Sequence, residues 1–526
     1  MPRLSYLRPD IIAGFLVFLI ALPLCLGISF ASGYPPTAGL ITAILGGMLV
    51  SVLGSARLTI KGPAAGLIVV AIGAVTELGG GVTGYRRALA VGVVAGLLQI
   101  ALALIRAGAL GDLMPSSVVH GMLAAIGVII ISKQVHVMLG VAPEGQEPLH
   151  LLAEIPRSLA NLNPEVFLIG LISLLILFGL PLVRTNWARR VPGPMLVLAA
   201  AVPLSLFFDL EHEHVYTFAN HLYHVGPSAL VRLPGSLASA IVFPDFSMIG
   251  SAVSLKYIAM FALVGTIESM LSVIAVDALD PERRSSDLNR DLLATGAGNV
   301  VVALVGGLPM ISEIVRSKAN IDSGARTRWA NFFHGAFLLA ALAVIPGVLQ
   351  EIPLAALAAM LVYTGFRLAS PKEFVHVYHI GPEQLLLFVT TLLVTLATDL
   401  LVGVGVGLVL KIVLHLANGA PFKSIFRSVV SETRDGDTVT MTVHDSAVFT
   451  NYLGLKRRLQ SVPDDVRTVT LDFENAWVVD HTVLEKLQRL GQNWTGHRLE
   501  IRGFDNHEPM SNHELSARRR RREVNA

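Results

Sequence analysis

Gly54-Ser-Ala-Arg-Leu-Thr-Ile-Lys-Gly-Pro-Ala-Ala-Gly66 and Gly306-Gly-Leu-Pro-Met-Ile-Ser-Glu-Ile-Val-Arg-Ser317 interrupt otherwise continuous apolar sequence at corresponding positions of two halves of the chain. Each places Gly-Pro or Gly-Gly-x-Pro, with rare charges, where a membrane-spanning helix would be expected. In lipid, broken backbone survives only where protein buries it or where it lines a cavity. A matched pair of Gly/Pro-interrupted segments points to the substrate site of a repeat-built transport protein. The site is therefore expected between Pro63 and Pro309.

Composition agrees with a membrane setting. Of 526 residues, 53% are hydrophobic and 15% charged, with mean hydropathy +0.64; soluble domains carry about 25% charged residues. The single cysteine, Cys25, lies inside the first apolar run, which excludes a disulfide framework and a Cys-based metal motif. That first run is long enough to span, lacks a small-residue cleavage site and is followed at once by another. It reads as a span rather than a removable signal.

At about 20 apolar residues per span, candidate helices fall near 11–31, 36–53, 64–78, 87–106, 116–139, 165–183 and 192–209. A second set falls near 253–276, 290–305, 310–321, 328–348, 353–366, 383–399 and 401–417. The expected fold is thus a polytopic α-helical membrane protein of about 14 segments, in two seven-segment repeats at about 10–210 and 250–418. An odd number of spans per repeat inverts the second copy. Lys/Arg placement in the loops orients the chain with its N-terminus (Arg3, Arg8) cytoplasmic. The inside loops then hold Arg184, Arg189, Arg190, Arg283, Arg284, Arg290, Lys318, Arg326, Arg328, Arg367 and Lys372, while Arg86 and Arg87 break the rule. Fourteen spans also return the C-terminus to the cytoplasm.

After Asn418 the pattern changes. Thr438–Val443 alternates with period two, as a half-buried strand does, and 467–473 and 497–502 read as further strands. Between the last two, 481–494 sets Leu484, Leu487 and Leu490 on one helical face. The expected organisation is a membrane domain at 1–420, a linker at 421–437, a small soluble α/β domain at 438–507 and a basic disordered tail at 508–526.

Four stretches carry a family resemblance: Tyr34-Pro-Pro-Thr-Ala-Gly-Leu40, Ile267-Glu-Ser-Met-Leu-Ser272, Asn289-Arg-Asp-Leu-Leu with Gly298-Asn and Gly306-Gly-Leu-Pro309, and Arg316 to Asn320 leading to Ser323-Gly-Ala-Arg-Thr327. Together they resemble the SulP family of inorganic anion transporters, over nearly the whole chain. The C-terminal part resembles a STAS domain, with Leu471-Asp-Phe and Val479-Asp-His-Thr482 in the strand-to-helix position. The resemblance implies a core and a gate domain, with the anion held between the third and tenth segments. It implies no enzymatic activity and no nucleic-acid partner. The implied localisation is a bacterial inner membrane, with homodimerisation through the STAS or membrane domain.

Helix N-termini offer unpaired N–H groups and partial positive charge to an anion. Proline at a first helical turn loses nothing there, so Pro63 and Pro309 read as half-helix starts. The amides of Ala64, Ala65 and Gly66, and of Ile311 and Ser312, would then point at a small oxyanion, flanked by Lys61 and Gly62. Arg316, one turn from Ser312 and Glu313, sits where many family members keep a basic residue near the anion. Glu268, an ionisable group deep in an apolar helix, and Ser272 one turn on are the expected coupling-ion position, through Na⁺ or by protonation; no resident cofactor is expected.

This chain departs from the family in three ways: Pro23 is followed by Leu24 rather than an acid or amide, Lys61 precedes the third-segment Gly-Pro, and Glu313 occupies a usually small position. Lys61 and Glu313 are expected to pair across the pseudo-twofold. Further expectations concern the outer loop, the STAS-like domain and the substrate. Glu211-His-Glu-His214 with His221 and His224 lacks a His-Glu-x-x-His pattern and reads as a polar outer loop rather than a metal site. His481 aligns with the phosphorylated serine of soluble relatives, so the STAS-like domain reads as a scaffold. The resemblance implies cation-coupled secondary transport of sulfate or bicarbonate; an anion channel or sensor whose STAS domain signals or docks a partner is the other reading.

Overall fold

In a computed structural model, residues 4–521 are described apart from 109–112, 146, 184, 186–190, 234–239, 283, 464 and 495. Arg3, Arg184, Arg189, Arg190, Arg283 and Arg522 therefore lie outside the described residues. Each of the fourteen apolar windows contains a helix. Among the described residues, eight helices are long and apolar enough to cross a membrane, from Tyr6–Ala31 to Leu400–Ala417. Four more apolar helices are shorter: Ala65–Glu77, Gly193–Phe207, Trp329–Val344 and Pro382–Ala397. Contacts divide the chain into two units: Met1–Gly108 with Ile126–Leu368, and Ala109–Ala125 with Ala369–Ala526.

In the first unit the two interrupted segments meet each other. Ile60–Pro63 and Met310–Glu313 form an antiparallel two-stranded sheet in the register Ile60↔Glu313, Lys61↔Ser312, Gly62↔Ile311 and Pro63↔Met310. An isolated two-stranded pair is at best marginal in water; here seven of its eight residues are buried, and Glu313 is nearly so. A buried sheet edge must find hydrogen-bond partners, and polar side chains supply them. Asn299 clamps the Met310 backbone, accepting from its N–H at 2.7 Å and donating to its carbonyl at 3.1 Å. Ile60 N–H donates to Ser317 Oγ, Ser312 N–H to Ser269 Oγ, and Asn320 Nδ2 to the Leu58 carbonyl.

This pairing corrects the expected helix starts. Pro63 closes a strand and is followed by a 3-10 turn, Ala65–Leu67, and the helix Ile68–Glu77. Pro309 precedes a strand, and the second half-helix begins at Ile314, with Glu313 as its N-cap. Both prolines stand at strand ends, where a missing N–H costs no ladder bond. The segment around His212 also has regular structure, as a hairpin of His214–Phe218 and His221–Val225.

In the second unit a four-stranded sheet runs Val430–Asp435, Thr438–Val443, Thr468–Asp472, Arg498–Arg502, with its first pair antiparallel and the others parallel. The Thr438–Val443 strand buries every second residue, and Val439, Met441 and Val443 join Leu471, Leu484 and Leu487 in one core. The stretch expected as a linker, 421–437, instead holds the helix Phe422–Phe426 and the first strand of this sheet. The tail expected to be disordered instead holds regular structure: Arg518–Arg520 is a strand paired with His507–Pro509 and with Val478–Val479. Its arginines lie over rings, Arg518 over Phe504 at 4.4 Å and Arg520 over Trp477 at 5.4 Å. Cation–π contact and paired backbone outweigh the self-repulsion that a charge run suggests.

A buried ion pair ties the helix Leu400–Ala417 to this sheet domain: Lys411 Nζ is 2.7 Å from Asp480 Oδ1, both side chains at 0% exposure. Burial alone would raise the Asp480 carboxyl, but the Lys411 ammonium, and then His415, hold it down at about 2. Next to it, His481 is buried and its Nδ1 lies 2.7 Å from the Leu515 carbonyl oxygen.

Candidate functional site

The register decides which side chains share a face, because neighbours along a strand point to opposite sides. Lys61 and Ser312, directly opposite, take one face. Ile60, Gly62, Ile311 and Glu313 take the other. Lys61 Nζ donates to the Asp291 carboxylate, to Ser312 Oγ at 2.5 Å and to Thr295 Oγ1 at 3.3 Å. Asp291 and Thr295, one turn apart on the helix Leu288–Leu304, are fully buried. Asp291 also accepts from Ala56 N–H at 3.2 Å. The expected Lys61–Glu313 pair is therefore absent, since the two side chains leave the sheet on opposite faces. Asp291 is the partner that sequence reasoning missed, although an acid within an apolar helix was itself a signal.

On the other face, Arg316 reaches back from the first turn of the helix Ile314–Asp322. It is 1% exposed. Its Nη2 donates to the Pro63 carbonyl at 2.7 Å and its Nη1 lies 3.5 Å from Cys25 Sγ. Glu313 Oε1 is 3.7 Å from Arg316 Nη2, within ion-pair range but beyond a hydrogen bond. Glu313 stands at the N-cap yet its side chain makes no capping bond, and its Oε1 has no hydrogen-bond partner among the described residues. Gly62 leaves the space that Arg316 fills: a Cβ there would come 2.6 Å from Nη1.

Glu268, on the helix Ala252–Leu279, brings its carboxylate against the first turn of the other half-helix. A Cβ added at Gly66 would lie 2.1 Å from Glu268 Oε1. That oxygen is buried without a hydrogen-bond partner among the described residues, and the residue is 6% exposed. Ser272, one turn along the same face, is 9% exposed. Ser269, unremarked from sequence, ties this helix to the second strand through Ser312.

The structure thus gathers Gly62, Pro63, Ala64, Ala65, Gly66, Glu268, Glu313 and Arg316 around two converging helix starts, and sends Lys61 and Ser312 behind the sheet. The amides expected of the second arm shift as well. Ile311 and Ser312 belong to the strand, and the first amides without an intrahelical acceptor are those of Ile314, Val315 and Arg316. On the first arm, Ala65 and Gly66 open a 3-10 turn rather than an α-helix begun at Pro63.

Two broken segments meeting inside a bundle of apolar helices define a polytopic membrane transport protein. The chain belongs to the sulfate permease (SulP) family, whose pattern it matches over residues 7–391. It is 26% identical to a putative sulfate transporter, YvdB, of Bacillus subtilis over 79% of this chain and 74% of that protein. It is also 26% identical to the bicarbonate transporter BicA of Picosynechococcus, over 83% of this chain and 75% of that one. Among solved structures, the transmembrane domain of a cyanobacterial BicA superposes with TM-score 0.66 at 24% identity, covering 77% of this chain and 98% of that one. Murine Solute Carrier 26 family member A9 gives TM-score 0.68 at 14% identity, over 95% of this chain and 86% of that one. The homologues are transporters rather than enzymes, and the chain is a membrane-embedded member of a sulfate and bicarbonate transporter family.

Proposed function

We propose that this protein is a cation-coupled secondary transporter of a small inorganic oxyanion, sulfate or bicarbonate, working by alternating access. The observation that carries the reading is the buried Glu268 carboxylate, pressed against Gly66 where a helix N-terminus would receive an anion, with its Oε1 lacking a hydrogen-bond partner among the described residues. An unneutralised carboxylate there repels the substrate and is itself costly in the membrane interior. Na⁺ or a proton bound at Glu268 and Ser272 removes that charge. The amides of Ala65 and Gly66 and those of Ile314 and Val315 then face the anion with net positive potential, beside the Arg316–Glu313 ion pair. Each ligand favours the other, which is thermodynamic coupling in its simplest form.

The reading carries a topology with it. Fourteen segments form two inverted seven-segment repeats divided into core and gate domains, set in a bacterial inner membrane with the N-terminus and C-terminal domain cytoplasmic. The mixed sheet with the helix His481–Asn493 is a STAS domain that serves as a scaffold, including for homodimerisation. The fit to the sulfate permease family over residues 7–391 and the helix at each apolar window support the membrane part of this reading.

Uptake of radiolabelled sulfate and bicarbonate into proteoliposomes, with Na⁺ and pH gradients imposed separately, tests the proposal. Glu268→Gln is expected to abolish gradient-driven accumulation while the protein still folds. Full gradient dependence in that variant would remove the coupling assignment. Uptake that never exceeds equilibrium in the unaltered protein would replace a transporter with a channel.

A further inference from the structure

We infer that Glu313 makes this site selective for a singly charged oxyanion that still carries a proton, of which hydrogencarbonate is the smallest common case, over a doubly charged one such as sulfate. The inference rests on the transport reading above and names the substrate class within it.

The first ground is charge. Two buried cations belong to the paired arms, and neither is free for a dianion. Lys61 is held behind the sheet by Asp291, Thr295 and Ser312. Arg316 faces the site, but Glu313 sits 3.7 Å from its Nη2. Glu268 adds a second carboxylate against Gly66. One bound cation or proton at Glu268 leaves Arg316 balanced by Glu313, so the partial charges of two helix starts are what remains for the substrate. That suits one negative charge; a second would lie unneutralised in a poorly solvated pocket.

The second ground is hydrogen bonding. Glu313 Oε1 is without a hydrogen-bond partner among the described residues, and its side chain keeps 14% exposure. Standing at the N-cap, its side chain accepts nothing from its own helix. Ionised, it can only accept, so it needs a donor from outside the protein. Hydrogencarbonate supplies one O–H while its remaining oxygens accept from backbone N–H groups. Sulfate at neutral pH has no proton to give and would set an oxygen against the carboxylate. Nitrate separates the two grounds, being planar and singly charged but without an O–H. A site built around a substrate's hydrogen bond rejects analogues that lack it far more strongly than a shape-matched apolar pocket does.

The test is competition against radiolabelled bicarbonate uptake in proteoliposomes, at slightly alkaline pH, by sulfate and by nitrate. It uses the unaltered protein and the Glu313→Ala, Glu313→Gln and Glu313→Asp variants. In the unaltered protein, half-inhibition by sulfate should need about tenfold or more the concentration at which unlabelled bicarbonate competes, with nitrate between them. Glu313→Ala should bring nitrate to within about twofold of bicarbonate and strengthen sulfate competition about tenfold, whereas Glu313→Asp should keep the bicarbonate preference. Each readout is a ratio within one protein, so a lower yield of folded variant does not move it; if Glu313→Ala fails to fold, Glu313→Gln supplies the ratio. Sulfate competing as well as bicarbonate in the unaltered protein, or ratios unchanged by loss of the carboxylate, would overturn the inference while leaving anion transport standing. Absence of saturable uptake of any anion by the unaltered protein would remove the transport reading itself.

Discussion

Ile60–Pro63 and Met310–Glu313 share one two-stranded sheet and each leads into a half-helix, yet they place their charges oppositely. The first arm turns its ionisable side chain, Lys61, away from the converging helix starts and onto Asp291. The second arm turns Glu313 and Arg316 toward them, with Arg316 against Gly62 and Pro63. Equivalent backbones thus do different work. One charge holds the sheet to the helix Leu288–Leu304, and the other two set the electrostatics of the candidate site. The difference teaches that a charge beside a broken helix cannot be assigned to a ligand before its strand face is known.

The hardest way to break the comparison is to strand one member of the buried pair. Lys61→Ala or Asp291→Ala should each destabilise the protein by about 3–5 kcal/mol, because the remaining charge is left unpaired in the interior. Thermal unfolding in detergent checks this. Replacing both with apolar side chains, Lys61→Met with Asp291→Leu, should recover more than half of the loss, with anion competition ratios unchanged. A double variant as unstable as the two losses summed, or one with altered anion preference, would place Lys61 in the site after all.

A smaller effect is expected at the other end of the first arm. Gly66→Ala puts a Cβ 2.1 Å from Glu268 Oε1, so the carboxylate must shift off the helix start. Uptake should fall about tenfold, with weakened cation dependence, since misplaced binding groups cost that much without unfolding the scaffold. Unaltered cation dependence would separate Glu268 from the first arm. The mildest change is Gly62→Ala, where the new methyl meets Arg316 Nη1 at 2.6 Å. That atom ends a flexible side chain and can give way, so a rise of about two- to threefold in the anion KM is expected with kcat unchanged. A larger rise in KM than for Gly66→Ala would reverse the order of the two arms.

Much of this was legible in the chain. Each apolar window contains a helix because hydrophobicity summed over about 20 residues is a local property. The two interruptions were found for the same reason, from Gly, Pro and charge appearing where lipid tolerates none of them unsatisfied. What failed were inferences about four residues at a time. Strands this short show no usable alternation, and they exist only because two segments about 250 positions apart satisfy each other's backbones. Pro63 and Pro309 accordingly read as helix starts when they are strand ends. Arg518–Arg520 misled for a related reason: its charges suggest solvation, whereas the partners that order it, Val478–Val479, His507–Pro509, Phe504 and Trp477, are distant in sequence or belong to another strand.

The amino-acid sequence by itself determined a membrane protein of the SulP kind, with its broken segments and the rare ionisable residues near them. Only the tertiary structure decided which of those residues face one another. A shift of one position in strand register would exchange the faces of Lys61 and Gly62. That register is set by Asn299, Ser269, Ser317 and Asn320 closing hydrogen bonds across the bundle, a long-range condition that no local pattern in the chain encodes.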